Sequence, residues 1–385
     1  MNEIFSNLSV SVFETMSRLA AEVEAINLGQ GFPEGLEPRD VLEVASRAIL
    51  EGPHQYPPMR GIPDLRQAVA ENARRHFGLA LDWQNEVIVT SGATEALAST
   101  FLALLNPGDE VILLEPAYDS YRPLLRRAGA TIVPVPLAPP AWDLPREALA
   151  AAITPRTRAI VFNAPMNPTG RLFGLDDLQF LAGLLDRHDL VAICDEVYEH
   201  LTFDGARHVP LMTLPQARTR CVRIGSAGKS FSVTGWKVGY VSADARLLGP
   251  IARAHQYVTF TTPPALQSAV AYGLRLGDDY FDGLRAELQR RRDLMTGALR
   301  QAGFTVLDTA ATYFLNIDVS AFDPDGDDFA FAQRLAREAG VATIPVSVFN
   351  GDRRSTGLLR LCFAKAPDTI IAGVERLRAW RETQG

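Results

Sequence analysis

The chain has 385 residues, 47% of them apolar and 22% charged, with a formal net charge of −7. That length suits one large domain or two ordinary ones, and most of the unfolded surface can be buried without disulfide or metal staples. The acidic balance argues against a nucleic-acid partner, which wants a basic stripe, and no apolar run approaches the roughly eighteen residues of a membrane span. Glu3 comes early and no basic segment precedes an apolar core, so no signal peptide is read and the expected location is the cytoplasm. The Arg290-Arg291-Arg292 run sits among Glu287 and Asp293 in a helical pattern and reads as a solvated face. Cys194, Cys221 and Cys362 each lie inside an apolar, strand-like run, as buried small hydrophobes in a reducing compartment would. Neither they nor the histidines have metal-ligand spacing.

Residues 1–40 read as a helix followed by an irregular arm. Phe13, Met16, Leu19, Ala20 and Val23 form an apolar stripe at helical spacing, and the glycines and proline of Ile26–Pro33 exclude regular structure there. Helices are expected near 40–51 and 63–77, with Gln55-Tyr56-Pro57-Pro58 irregular between them. Apolar runs then recur at 87–89, 111–114, 131–133, 159–162, 190–194, 221–224 and 238–241, with helical segments such as 95–105 and 175–187 between them. Most runs are continuous rather than alternating, as for strands covered on both faces. Alternation of strand and helix implies α/β architecture: a mostly parallel sheet of about seven strands flanked by helices. Beyond about residue 275 come a long helix near 280–302, short strands at 304–306, 313–317, 341–344 and 358–363, a helix near 328–339 and a last helix. The expected organisation is an N-terminal helix and arm (1–40) associated with a smaller α+β domain (276–385), and a large domain (41–275).

Five polar stretches fall where ligands bind in such sheets, beyond the carboxyl ends of the strands. Thr90-Ser91-Gly92-Ala93-Thr94-Glu95 turns a strand into a helix, which makes either an anion site or an ordinary N-cap. Asn163-Ala164-Pro165-Met166-Asn167-Pro168-Thr169-Gly170 follows a strand, and either projects the Asn167 amide or merely turns. Cys194-Asp195-Glu196-Val197-Tyr198 ends an apolar strand in two carboxylates. Asp195 there would want a cationic partner such as a protonated ring nitrogen, or would simply start a helix. Ser226-Ala227-Gly228-Lys229-Ser230 surrounds a lysine with small and hydroxylic residues, which suits a Schiff-base amine as well as a surface loop. Arg360 stands in the middle of an apolar strand and needs an anion: a ligand carboxylate or a structural one.

In this order these stretches resemble the pyridoxal-phosphate aminotransferases of the aspartate-aminotransferase-like superfamily (fold type I, class I/II), along nearly the whole chain. The 34 residues from Asp195 to Lys229 agree with that pattern. The resemblance implies pyridoxal 5'-phosphate as cofactor, with Lys229 as its Schiff-base lysine and the carrier of the proton at the substrate Cα. Asp195 would pair with the ring nitrogen, Tyr198 and Asn167 would hydrogen-bond the ring's phenolic oxygen, and Tyr118 would stack on the ring. Ala93, Thr94, Ser226 and Lys237 would cradle the phosphate, and Arg360 would clamp the substrate α-carboxylate. Many members have arginine where Lys237 stands, so the phosphate contact would be a point charge rather than a fork.

Asn27–Pro33, Tyr118-Asp119-Ser120-Tyr121, His255–Phe260 and Ile344–Phe349 resemble one branch, that of kynurenine, glutamine and methionine aminotransferases. The analogy places the Gly31 backbone near the substrate carboxylate and Tyr56 at the phosphate of a neighbouring subunit, which requires a homodimer with shared sites. Phe260 and Phe349 are candidate substrate-side contacts, and Phe32 is either another or a core residue. The expected activity moves an amino group from an aromatic, sulfur-containing or glutamine-like L-amino acid to a 2-oxo acid. Its rivals are N-succinyl-diaminopimelate aminotransferase, which should need a further cation for a distal carboxylate, cysteine-S-conjugate β-lyase on the same scaffold, and a non-catalytic sensor that binds the cofactor.

Overall fold

The computed structural model describes residues 1–323 and 325–384. Its main sheet has seven strands: β1 (Val87–Thr90), β2 (Glu110–Glu115), β3 (Thr131–Pro136), β4 (Thr157–Asn163), β5 (Val191–Asp195), β6 (Cys221–Ser226) and β7 (Gly239–Ala243). They lie in the order β1-β7-β6-β5-β4-β2-β3. All neighbours pair in parallel except those of β7, which runs antiparallel to both β1 and β6. The continuous apolar runs divide by the two-residue period of a strand. Ile112, Leu114, Phe162 and Cys194 enter one core with Leu178, Leu181 and Leu185 of the helix Leu175–Arg187. Val111, Leu113, Val161 and Ile193 enter the core on the other face, with Leu97 and Phe101 of the helix Gly92–Leu104. A sheet covered on both faces therefore buries every residue of β2 and β5 except Val191.

A second sheet is antiparallel, in the order Ile344–Pro345, Leu358–Cys362, Phe314–Asp318, Thr305–Val306. Its core takes in Met16, Leu19 and Ala20 of the helix Val12–Glu22 and Met295 and Leu299 of the helix Asp278–Gln301.

Three local expectations need correction. Arg291 and Arg292 are not part of a solvated face: both are buried, Arg291 donating to the Glu34 and Lys365 carbonyls and Arg292 pairing with Asp204. Ile26–Asn27 is not irregular: it pairs in parallel with Val341–Ala342. The run 341–344 is not one strand. It changes partners at Thr343, where a Cβ on Gly29 would come within 2.9 Å of the Thr343 carbonyl carbon. The arm can cross there because residue 29 has no side chain. All three cysteines are free and buried. Among the described residues no helix is long and apolar enough to cross a membrane.

Candidate active site

The carboxyl ends of β4, β5 and β6 and the N-terminus of the helix after β1 meet at a cavity of about 370 Å³. Eleven of the twelve candidate site residues line it: Gly31, Ala93, Thr94, Tyr118, Asn167, Asp195, Tyr198, Ser226, Lys229, Lys237 and Arg360. Tyr56 does not. Its ring is 82% exposed and stands edge-on to Phe260, with centroids 5.3 Å apart.

Asp195 closes β5 and is buried. Tyr121 Oη donates to its Oδ2 at 2.5 Å, and among the described residues no cation lies within 4.0 Å. Burial raises its pKa above the ordinary 3.8, although the Tyr121 hydroxyl and the nearby Lys229 pull the other way. The Asn163 amide donates to the Asp195 carbonyl at 2.8 Å and accepts from the Asn167 N–H at 2.7 Å, so one side chain joins the ends of β4 and β5. Lys229 leaves β6 on a single helical turn, Ala227–Ser230. Its Nζ donates to Tyr313 Oη at 3.0 Å, and that hydroxyl donates to the Gly31 carbonyl at 3.1 Å. The ring of Tyr198 stands edge-on to Tyr313, and Lys229 Nζ lies 5.8 Å from the Tyr198 centroid. Burial raises the pKa of both phenols. Tyr118 is pushed up to about 12, by burial and then by the charges of Asp119 and Asp195.

Opposite these groups lies Arg360, 1% exposed. Its Nη1 donates to Asn167 Oδ1 and its Nη2 to the Gly29 carbonyl, both at 2.8 Å. The Phe314 ring lies 3.8 Å from the guanidinium carbon, and Phe13 and Phe349 stand at 5.3 and 5.2 Å. Burial lowers its pKa, and its Nε has no partner. At the other end, Lys237 holds a left-handed backbone that brings its ammonium over Gly92. A Cβ on Gly92 would meet Lys237 Nζ at 3.3 Å, and one on Gly239 would meet the Gly92 carbonyl carbon at 2.7 Å. These glycines let strand and helix end close into a cradle of N–H groups, a hydroxyl and an ammonium.

Three observations fit pyridoxal phosphate. An acid without a cation suits a protonated ring nitrogen. A cationic cradle at a helix N-terminus suits a phosphate. A buried guanidinium with an unpartnered N–H suits the carboxylate of an amino acid.

Sequence reading missed Tyr121, Tyr313, Asn163 and Phe13. Tyr121 follows Tyr118 by one helical turn and could have been found from that spacing. Tyr313 meets Lys229 across 84 residues and has no local signal. Phe32 is 57% exposed at the rim, so the core reading fails. Phe349 is 1% exposed. It backs Arg360 and Phe13 rather than lining the cavity, and Phe260 does not line it either.

Sheet and site together define an α/β enzyme with one amine, one buried acid and a cation at each end of its cavity. The chain belongs to the aminotransferase class I and II family, whose model matches residues 23–377. It is 39% identical to the methionine aminotransferase of Escherichia coli, over 96% of each chain. It is 35% identical to human kynurenine–oxoglutarate transaminase 3, over 97% of this chain and 88% of that one. A solved structure of N-succinyldiaminopimelate aminotransferase from Mycobacterium tuberculosis superposes with a TM-score of 0.95 at 41% identity, over 99% of this chain and 100% of that one. The chain is thus an aminotransferase of fold type I, and its cofactor is pyridoxal phosphate.

Proposed function

We propose that the chain transfers the amino group of an aromatic, sulfur-containing or glutamine-like L-amino acid to a 2-oxo acid. The observation that carries this is the wall around Arg360: Phe13, Phe32, Tyr118 and Phe314 line the cavity there, and aromatic rings favour apolar or polarisable side chains. When bound, pyridoxal phosphate supplies an aldehyde that condenses with amines and a ring that withdraws electrons from Cα. Lys229 is the residue that would hold the cofactor, and its amine would carry the proton at the donor Cα. Asp195 would keep the ring nitrogen charged, Tyr198 and Asn167 would hydrogen-bond the phenolic oxygen, and Tyr118 would cover the ring. Ala93 N–H, Thr94, Ser226 and Lys237 would hold the phosphate. Arg360 orients the donor through its carboxylate, with the Gly31 backbone beside it.

The site is completed in a homodimer. Tyr56, Tyr257, Val258 and Phe260 are exposed apolar residues of one chain, at 82, 86, 49 and 40%, and a second copy covering them would bring Tyr56 to the partner's phosphate. A second reading, N-succinyl-diaminopimelate as donor, is supported by the mycobacterial structure's likeness. Against it, the cavity's cations among the described residues are Lys229, Lys237 and Arg360, and the roles proposed above use all three. The test is spectral conversion of the bound cofactor by each donor in turn, N-succinyl-diaminopimelate included, with pyruvate release from a cysteine S-conjugate assayed alongside. Conversion by methionine, kynurenine, phenylalanine or glutamine supports the first reading. Conversion by N-succinyl-diaminopimelate alone overturns it.

A further inference from the structure

Behind Asp195 and Tyr198 lies a cluster of charges that the reaction does not use. The turn after β5 sends its side chains two ways. Asp195, Val197 and Tyr198 line the cavity, while Glu196 and Glu199 are buried behind it at 1% and 3% exposure. Arg223, on β6 ahead of Lys229, reaches both: its Nε donates to Glu196 Oε2 at 2.6 Å and its Nη2 pairs with the Glu199 carboxylate. Tyr240 on β7 donates to Glu199 Oε1 at 2.6 Å. The Glu196 N–H donates to the Ile224 carbonyl at 2.9 Å, and Phe77 covers the guanidinium with its ring 5.0 Å away. A Cβ on Gly225 would lie 2.1 Å from the Tyr240 ring, so this glycine lets the ring cross β6 to reach Glu199.

Stability alone does not explain such a cluster. An apolar trio of the same volume would be as stable or more so, because each buried charge must be desolvated. What apolar packing lacks is direction. Hydrogen bonds from a planar guanidinium fix both carboxylates relative to β6.

We propose that Glu196, Arg223, Glu199 and Tyr240 form a positioning network that locks the Asp195–Tyr198 turn in register with the strand carrying Lys229. Acid, phenol and amine are then presented to the cofactor ring as one rigid set. The inference rests on the roles given above to Asp195, Tyr198 and Lys229.

The test uses Tyr240→Phe and Glu199→Gln in the full chain, with wild type alongside. Measured are the pyridoxal phosphate Kd, the cofactor's induced circular dichroism at saturation, kcat and KM for the donor, and the melting temperature of the cofactor-free protein. The expected result is cofactor binding about tenfold weaker, the effect of one hydrogen bond to a charged group. The dichroism band should shrink and kcat should fall with donor KM unchanged, in protein that is still folded though its cofactor-free melting temperature is lowered by the lost buried contact. Wild-type affinity and dichroism in both variants, whatever their melting temperatures, would overturn the proposal. Should Tyr240→Phe not fold, Glu199→Gln decides alone, since glutamine fills the same space while the charged pair with Arg223 is lost. Failure of wild type to bind the cofactor through Lys229 would instead overturn the site reading itself.

Discussion

Replacing Asp195 by asparagine should have opposite effects on the empty and the loaded protein. Asp195 is buried, accepts one short hydrogen bond from Tyr121 at 2.5 Å and a long one from the Val197 N–H at 3.4 Å, and meets no protein cation within 4.0 Å among the described residues. Burial raises its pKa above 3.8. Between that value and the folded one, the folded chain holds a proton that the unfolded chain has released. The contribution of this group to stability therefore falls as pH rises through the window, and the loss is complete above the folded pKa. Each unit of the window corresponds to about 1.4 kcal/mol. An amide of the same shape carries no charge at any pH and still accepts from Tyr121. Cofactor-free Asp195→Asn should thus be more stable than wild type at pH 8, and the gap should close toward pH 4. With cofactor the sign reverses. Wild type gains about 2.7 kcal/mol at a hundredfold excess of ligand over Kd, and the variant, without a charge for the ring nitrogen, gains less. Urea melts from pH 5 to 8, with and without pyridoxal phosphate, measure both effects. A cofactor-free variant less stable than wild type at pH 8, or equal gains from cofactor in both proteins, would refute the reasoning.

Arg360→Lys replaces two directed contacts at 2.8 Å with a point charge. Donor kcat/KM should fall about 100-fold or more while cofactor Kd stays within a few-fold, by steady-state kinetics and cofactor titration. Gly239→Ala puts a methyl group 2.7 Å from the Gly92 carbonyl carbon, where backbone faces backbone and neither yields cheaply. Stability should drop by about 1–3 kcal/mol, with weakened phosphate binding, as melts and inorganic phosphate competition would read. Tyr56→Phe should weaken cofactor binding about tenfold without changing the sedimentation coefficient, because only a hydroxyl is lost from a ring that stays apolar.

The seven strands of the main sheet were legible because each is a short apolar run bounded by turn residues, and all but the edge strand β3 are covered on both faces. The Asn163–Gly170, Asp195–Tyr198 and Ser226–Lys229 stretches were legible because a polar group at the end of an apolar strand is costly without a task. Parts of the site that form between distant segments were not legible. Nothing near Tyr313 announces that its hydroxyl joins Lys229 to Gly31, and the Ile26–Asn27 strand exists only because Val341–Ala342 comes to meet it. Phe349 looked like a ligand contact from its motif, yet its burial is set by Arg360 and Phe13, which lie elsewhere in the sequence.

The central claim is that the Lys229 amine, and no other, holds the cofactor. The chain has three lysines, Lys229, Lys237 and Lys365, so reduction of the holoenzyme with borohydride followed by peptide mass spectrometry gives a direct answer. The phosphopyridoxyl mass should appear on the peptide bearing Lys229 alone, and should disappear in Lys229→Ala while that variant still folds. The same mass on Lys237 or Lys365 in the wild-type protein, or on no lysine at all, would contradict it.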